Sequence, residues 1–76
     1  MVPEFDYSEL KGRIRAKFGK QSDFAKAMGL SDTSISAKLN NLVSFSQREI
    51  HKAARILDIE THEIPAYFFI VVVKVA

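Results

Sequence analysis

The stretch QSDFAKAMGLSDTSISAKLNN, residues 21–41, decides the fold. Phe24, Ala25 and Met28 share one face of a short helix over about Gln21 to Met28, and Gly29 follows where a residue of positive φ ends a helix. Ser31 is placed to cap a second short helix, whose Ile35, Leu39 and Leu42 step by i, i+4 and i+7 along one side. Thr33, Ser36, Ala37 and Asn40 fall on the opposite side. Two short helices joined by a tight, glycine-containing turn make the helix-turn-helix layout, in which the second helix enters a DNA major groove. Ala25 is small where the helices cross, and Ile35 and Leu39 hold the second helix down. Its outward face is small and polar, which suits a helix lying in a groove about 12 Å wide.

The flanks read as further helices. Asp6 and Glu9 make a capping-box-like start, Tyr7, Leu10, Ile14 and Phe18 recur at helical spacing, and Gly19 supplies a stop. Lys11, Arg13, Arg15 and Lys17 cover the other faces of this first helix, a solvated basic surface. Ser46 and Glu49 form a second capping box, followed by Ile50, Ala53, Ala54 and Leu57 as a buried stripe. Thr61 is placed to cap a short fifth helix from His62 to about Phe68, with Pro65 tolerated near its first turn. The tail FFIVVVKVA, residues 68–76, is rich in β-branched and aromatic residues, a strand composition. A strand must pair, and five helices offer no partner, so the tail at 69–76 either pairs with the same segment of a second subunit or closes the core over the first helix.

Seventy-six residues make one domain, 1–76, in which a single core supplies only about 3–5 kcal/mol. At 47% hydrophobic and 26% charged residues the composition is globular. The absence of cysteine excludes disulfides and Cys-based zinc sites and points to a reducing cytoplasm. Net charge is only +2, but most of the eleven Lys and Arg lie before residue 39. The start, MVPEFDYSE, lacks a secretion signal's basic and apolar regions and reads as a mature beginning. The apolar run Tyr67 to Val73 is far short of the roughly 20 residues that cross a bilayer. His51 and His62 lie on different elements without a Cys or Asp cluster, so they are surface residues rather than metal ligands. Gly19-Lys20 lacks the rest of a phosphate-binding loop, and no Ser, His and Asp arrangement suggests a nucleophile. The expectation is a non-enzyme without cofactor.

Gln21, Phe24-Ala25, Gly29-Leu30-Ser31, Ile35-Ser36 and Leu39-Asn40 together resemble the signature of the Cro/CI (XRE-type) helix-turn-helix family. FDYSELKGRIRAKFG before it, and FSQREIHKAARILDI and EIPAYFF after it, resemble the short Cro-type regulators of temperate phages of Gram-positive bacteria. The likeness covers about residues 5 to 69. It implies an all-α, five-helix, lambda-repressor-like domain that binds double-stranded operator DNA, commonly as a homodimer, and controls a lysis-lysogeny switch in the bacterial cytoplasm. By the same resemblance Gln21 holds a phosphate and braces the recognition helix, while Asp32, Thr33, Ser36 and Ala37 face base edges. Asn40 and Asn41 reach the backbone or neighbouring bases, and Lys38 reaches a phosphate. The chain departs from the family at Lys20, where a Thr-like cap is usual, and at Asp32, whose carboxylate is repelled by phosphates.

A second class of function suits the same residues. A small antirepressor would keep the helix-turn-helix shape but dock on a partner CI-type repressor and keep it from DNA. Low net charge, Asp32 and the apolar tail all fit that role.

Overall fold

The computed structural model describes residues 4–72. Five α-helices follow in order, α1 (Ser8–Phe18), α2 (Gln21–Met28), α3 (Asp32–Leu39), α4 (Gln47–Ile56) and α5 (Ile64–Phe68), with a 3₁₀ turn at Thr61–Glu63 leading into α5. This is the all-α, five-helix architecture expected. The helix α2 packs on α3 and α4, while α1 packs on α2 and α5. Leu10, Phe24, Ile35, Ala53 and Leu57 are fully sequestered at the centre, with Tyr7, Ile14, Ala25, Met28, Leu39, Ala54, Ile59, Ile64 and Phe68 around them. Each helix contributes the apolar stripe of its own 3.6-residue period, so no helix is stable without its neighbours.

Three helices end by one device. After α2, Gly29 adopts φ 73° and its amide donates to Lys26 O, while the Leu30 amide reaches back to Ala25 O at 2.9 Å. After α3, Asn41 adopts φ 63°, its amide donates to Lys38 O, and that of Leu42 donates to Ala37 O at 2.9 Å. After α4, Asp58 adopts φ 56° and the Ile59 amide donates to Ala54 O at 2.8 Å. These are Schellman closures, in which one left-handed residue lets two amides satisfy orphan carbonyls of the last turn.

The second of these closures corrects the apolar stripe read from the sequence. Leu42 does not continue the line of Ile35 and Leu39, because the left-handed residue at 41 turns the chain off the helix axis; Leu42 is 78% exposed and Val43 52%. The helix starts also differ in detail. Ser31 and Ser46 cap as expected, the latter in a full capping box with Glu49. At α1, however, Asp6 accepts from the Ser8 amide and hydroxyl, and Glu9 takes no part. At the 3₁₀ turn, the side chain of Glu63 accepts from the Glu60 amide at 3.2 Å, in place of a cap by Thr61. Lys20 precedes α2 without a side-chain cap.

The tail finds a partner within the chain. Phe5 and Val71 form an isolated antiparallel bridge, with the Asp6 amide donating to Ile70 O at 2.7 Å and the Val72 amide to Glu4 O at 2.8 Å. The expectation that nothing in the chain could pair with the tail is therefore overturned: the short extended segment ahead of α1 does so. Residues 73–76 of the proposed dimer strand lie outside the described residues. On its other edge Phe5 is bonded by a side chain, the Asn41 amide, which accepts from Phe5 N at 2.8 Å and donates to Phe5 O at 3.0 Å. An asparagine thus takes the place of a third strand, tying both ends of the domain to the α3–α4 loop.

Candidate functional site

The helix α3 is mounted on α2 by Ile35 and Leu39, and its N-terminus is fixed by Ser31 Oγ, which accepts from the Ser34 amide at 3.1 Å. What this mounting presents outward is an open groove of about 560 Å³, lined by Gln21 and Ser22 from the start of α2, by Asp32, Thr33, Ser36, Ala37 and Asn40, and by Leu42. Six of the residues singled out from the sequence are brought together here: Gln21, Asp32, Thr33, Ser36, Ala37 and Asn40. Asn40 Nδ2 donates to Ser36 Oγ at 3.3 Å, so two of the polar groups on this face bond to each other. Asp32 is exposed in the first turn of α3, where the positive end of the helix dipole favours its charge.

Lys38 and Asn41 are placed elsewhere. Lys38 is buried, with its ammonium 3.1 Å from Glu49 Oε1, donating to Ser44 O at 3.2 Å and lying 6.0 Å from the centre of the Phe45 ring. It ties α3 to the start of α4 and is absent from the groove. Asn41 is committed to Phe5, as described above. The groove consequently holds hydroxyls, amides, one carboxylate and one leucine, and its lining includes no cation. Ser22 and Leu42 are the lining residues that the sequence reading missed. The signal for Leu42 was present in Asn41, since asparagine is the residue after glycine most often found in a left-handed helix stop.

The Lys38–Glu49 pair sets an acid limit on this architecture. Burial raises the pKa of Glu49, but the Ser46 amide and hydroxyl and the Lys38 ammonium outweigh it and hold the carboxyl below its ordinary value of 4.5. A depressed carboxyl stabilises the fold fully above its unfolded value and loses that contribution as pH falls through the folded one. Thermal melts of the wild type should therefore lose stability as pH drops below 4.5, and Glu49→Gln should show a flatter dependence over that window. Equal slopes for the two proteins would show that the pair contributes nothing. Among the described residues, no cluster of three His, Asp or Glu is arranged to hold a metal ion. No helix among them is long and apolar enough to cross a membrane.

Comparison with known proteins places these features. None of the curated proteins matches the chain. A solved structure does: the solution structure of the modulator of repression (MOR) of the temperate bacteriophage TP901-1 from Lactococcus lactis is 48% identical. The match covers 86% of this chain and 88% of that one, with a TM-score of 0.77. The model of the family described as Protein of unknown function (DUF739) matches residues 3–70, nearly the whole length, and the chain belongs to that family.

Proposed function

We propose that this chain is a modulator of repression, a non-enzymatic regulator of a temperate phage switch that works in the host cytoplasm by docking on a partner CI-type repressor. The observation that carries this reading is the chemistry of the α3 groove. Duplex DNA is held mainly through cations that displace counterions from its phosphates. The groove lining offers none: the one lysine of α3 is buried against Glu49, and the charge presented is the carboxylate of Asp32. The exposed Leu42, which lines the groove at the other end of α3, is a contact for a protein surface. A repressor's own DNA-reading face is basic and polar, and an acidic, partly apolar groove complements it. The 48% identity to a phage modulator of repression supports the same conclusion.

Operator binding through the same helix is the second reading, favoured by one feature. Gln21 also borders a small cleft lined by Lys11 and Arg15 of α1, where a phosphate could sit beside the groove. Gel shifts over a range of salt separate the two. On the modulator reading, the chain alone forms no complex with duplex operator DNA at low salt, and adding it to the repressor–operator complex changes that complex. Tight binding of the chain alone, weakening with a log-log salt slope of about −0.9 per phosphate contacted, with no effect on the repressor, would establish the second reading instead.

A further inference from the structure

A second groove, of about 830 Å³, lies at the other end of α2, between its C-terminal half and α4. Its lining includes Ala27 of α2 and Arg48, His51, Lys52, Arg55 and Ile56 of α4. Its character is opposite to that of the α3 groove. Arg48, His51, Lys52 and Arg55 stand at i, i+3, i+4 and i+7, so they share one face of α4 over two turns, about 10 Å. No carboxylate lines the groove, and the acid of α4, Glu49, is turned away to Ser46 and Lys38. Lys52 is anchored by donating to Met28 O at 3.1 Å, the last residue of α2, where the negative helix terminus holds it. Arg48, His51 and Arg55 are exposed, and their side chains make no hydrogen bond or ion pair with another described residue.

Arg48 and Arg55 each stand one turn from Lys52 on this stripe, and like charges at that spacing work against the fold. We infer that this α2–α4 groove is a docking site for an acidic amphipathic helix of a protein partner. The acids of such a helix pair with Arg48 and Arg55, and its apolar stripe lies on Ala27, Ile56 and the aliphatic stems of the basic residues. A nucleic-acid backbone fits the charge but has no use for the concave, partly apolar lining, since phosphates are held by cations and hydrogen-bond donors rather than by apolar surface. The two grooves lie at opposite ends of α2, so both can be occupied at once. This site stands whether or not the α3 groove takes a repressor.

The test is selection from a random 16-residue peptide library displayed on yeast, enriched on the wild-type chain and depleted on the Arg48→Glu/Arg55→Glu variant. Both substitutions are on exposed side chains, and a thermal melt of the variant confirms its fold. The expected survivors carry Asp or Glu at helical spacing opposite an apolar stripe, bind the wild type at least about tenfold more tightly than the variant, and shift the amide resonances of Ala27, His51 and Ile56. A 16-base-pair duplex should leave those resonances in place. The inference is overturned if no peptide distinguishes the two proteins. It is equally overturned if the survivors lack acids, if their shifts fall on Thr33, Ser36 and Asn40, or if the duplex moves the α4 resonances at lower concentration than the peptides.

Discussion

Leu42→Asp is expected to weaken the proposed docking on a CI-type repressor by about 2–4 kcal/mol, or about 30- to 1,000-fold, while leaving the melting temperature almost unchanged. Leu42 is 78% exposed at the edge of the α3 groove, so the substitution removes little burial from the free protein and should alter its stability by less than about 0.5 kcal/mol. Its amide still closes α3 on Ala37 O, since that bond uses backbone alone. Aspartate at this position would also double the negative charge of the groove lining, which otherwise rests on Asp32 alone. If a general electrostatic match governed docking on a basic repressor face, affinity would rise. A large loss therefore identifies Leu42 as an apolar anchor, and calorimetric titration with the repressor measures it. Unchanged affinity would remove Leu42 from the interface and with it the apolar part of the docking argument.

Asn41→Ala is expected to cost the fold about 2–3 kcal/mol, a large share of what a domain of this size commands. Two effects add. The alanine removes both bonds to Phe5, each of the order of 1 kcal/mol, and leaves the Phe5 amide and carbonyl to find other partners. It also puts a Cβ-bearing residue without a compensating side-chain bond at φ 63°, a further cost of about 1 kcal/mol. Asn41→Gly separates the two, because glycine accepts the left-handed conformation and loses only the bonds. Urea unfolding of the three proteins should rank them wild type, Gly, Ala in falling stability. Should alanine and glycine prove equal to the wild type, the side-chain amide does not hold the two chain ends to the α3–α4 loop.

These two neighbours mark the boundary between what was legible in the sequence and what was not. Helices α2, α3 and α4 were readable nearly to the residue because their signals are local. A positive-φ glycine at 29, a serine at 31 accepting from its own third amide, and the reciprocal bonds of Ser46 and Glu49 each act within one turn of chain. The stripes of Leu10 and Ile14, of Phe24 and Met28, and of Ala53 and Leu57 follow from the helical period and are buried as expected. The gathering of Gln21, Asp32, Thr33, Ser36, Ala37 and Asn40 on one face was legible for the same reason, since four of these six residues lie on one short helix.

Tertiary structure decided the rest, wherever the partner lies far along the chain. Lys38 is a surface lysine by composition, and only the approach of α4 with Glu49 turns it inward. Asn41 is a polar loop residue until Phe5, 36 positions away, comes within 3 Å of its amide. The tail has the composition of a strand in any context, but which backbone answers it depends on where α1 and α5 bring residues 4–6. Caps and periods are settled by energies acting over four residues, so the sequence alone determined the helices and the apolar stripes that they bury. The charge of the α3 groove, the exposure of Leu42 and the pairing of the chain ends were decided by contacts formed only once those helices had packed.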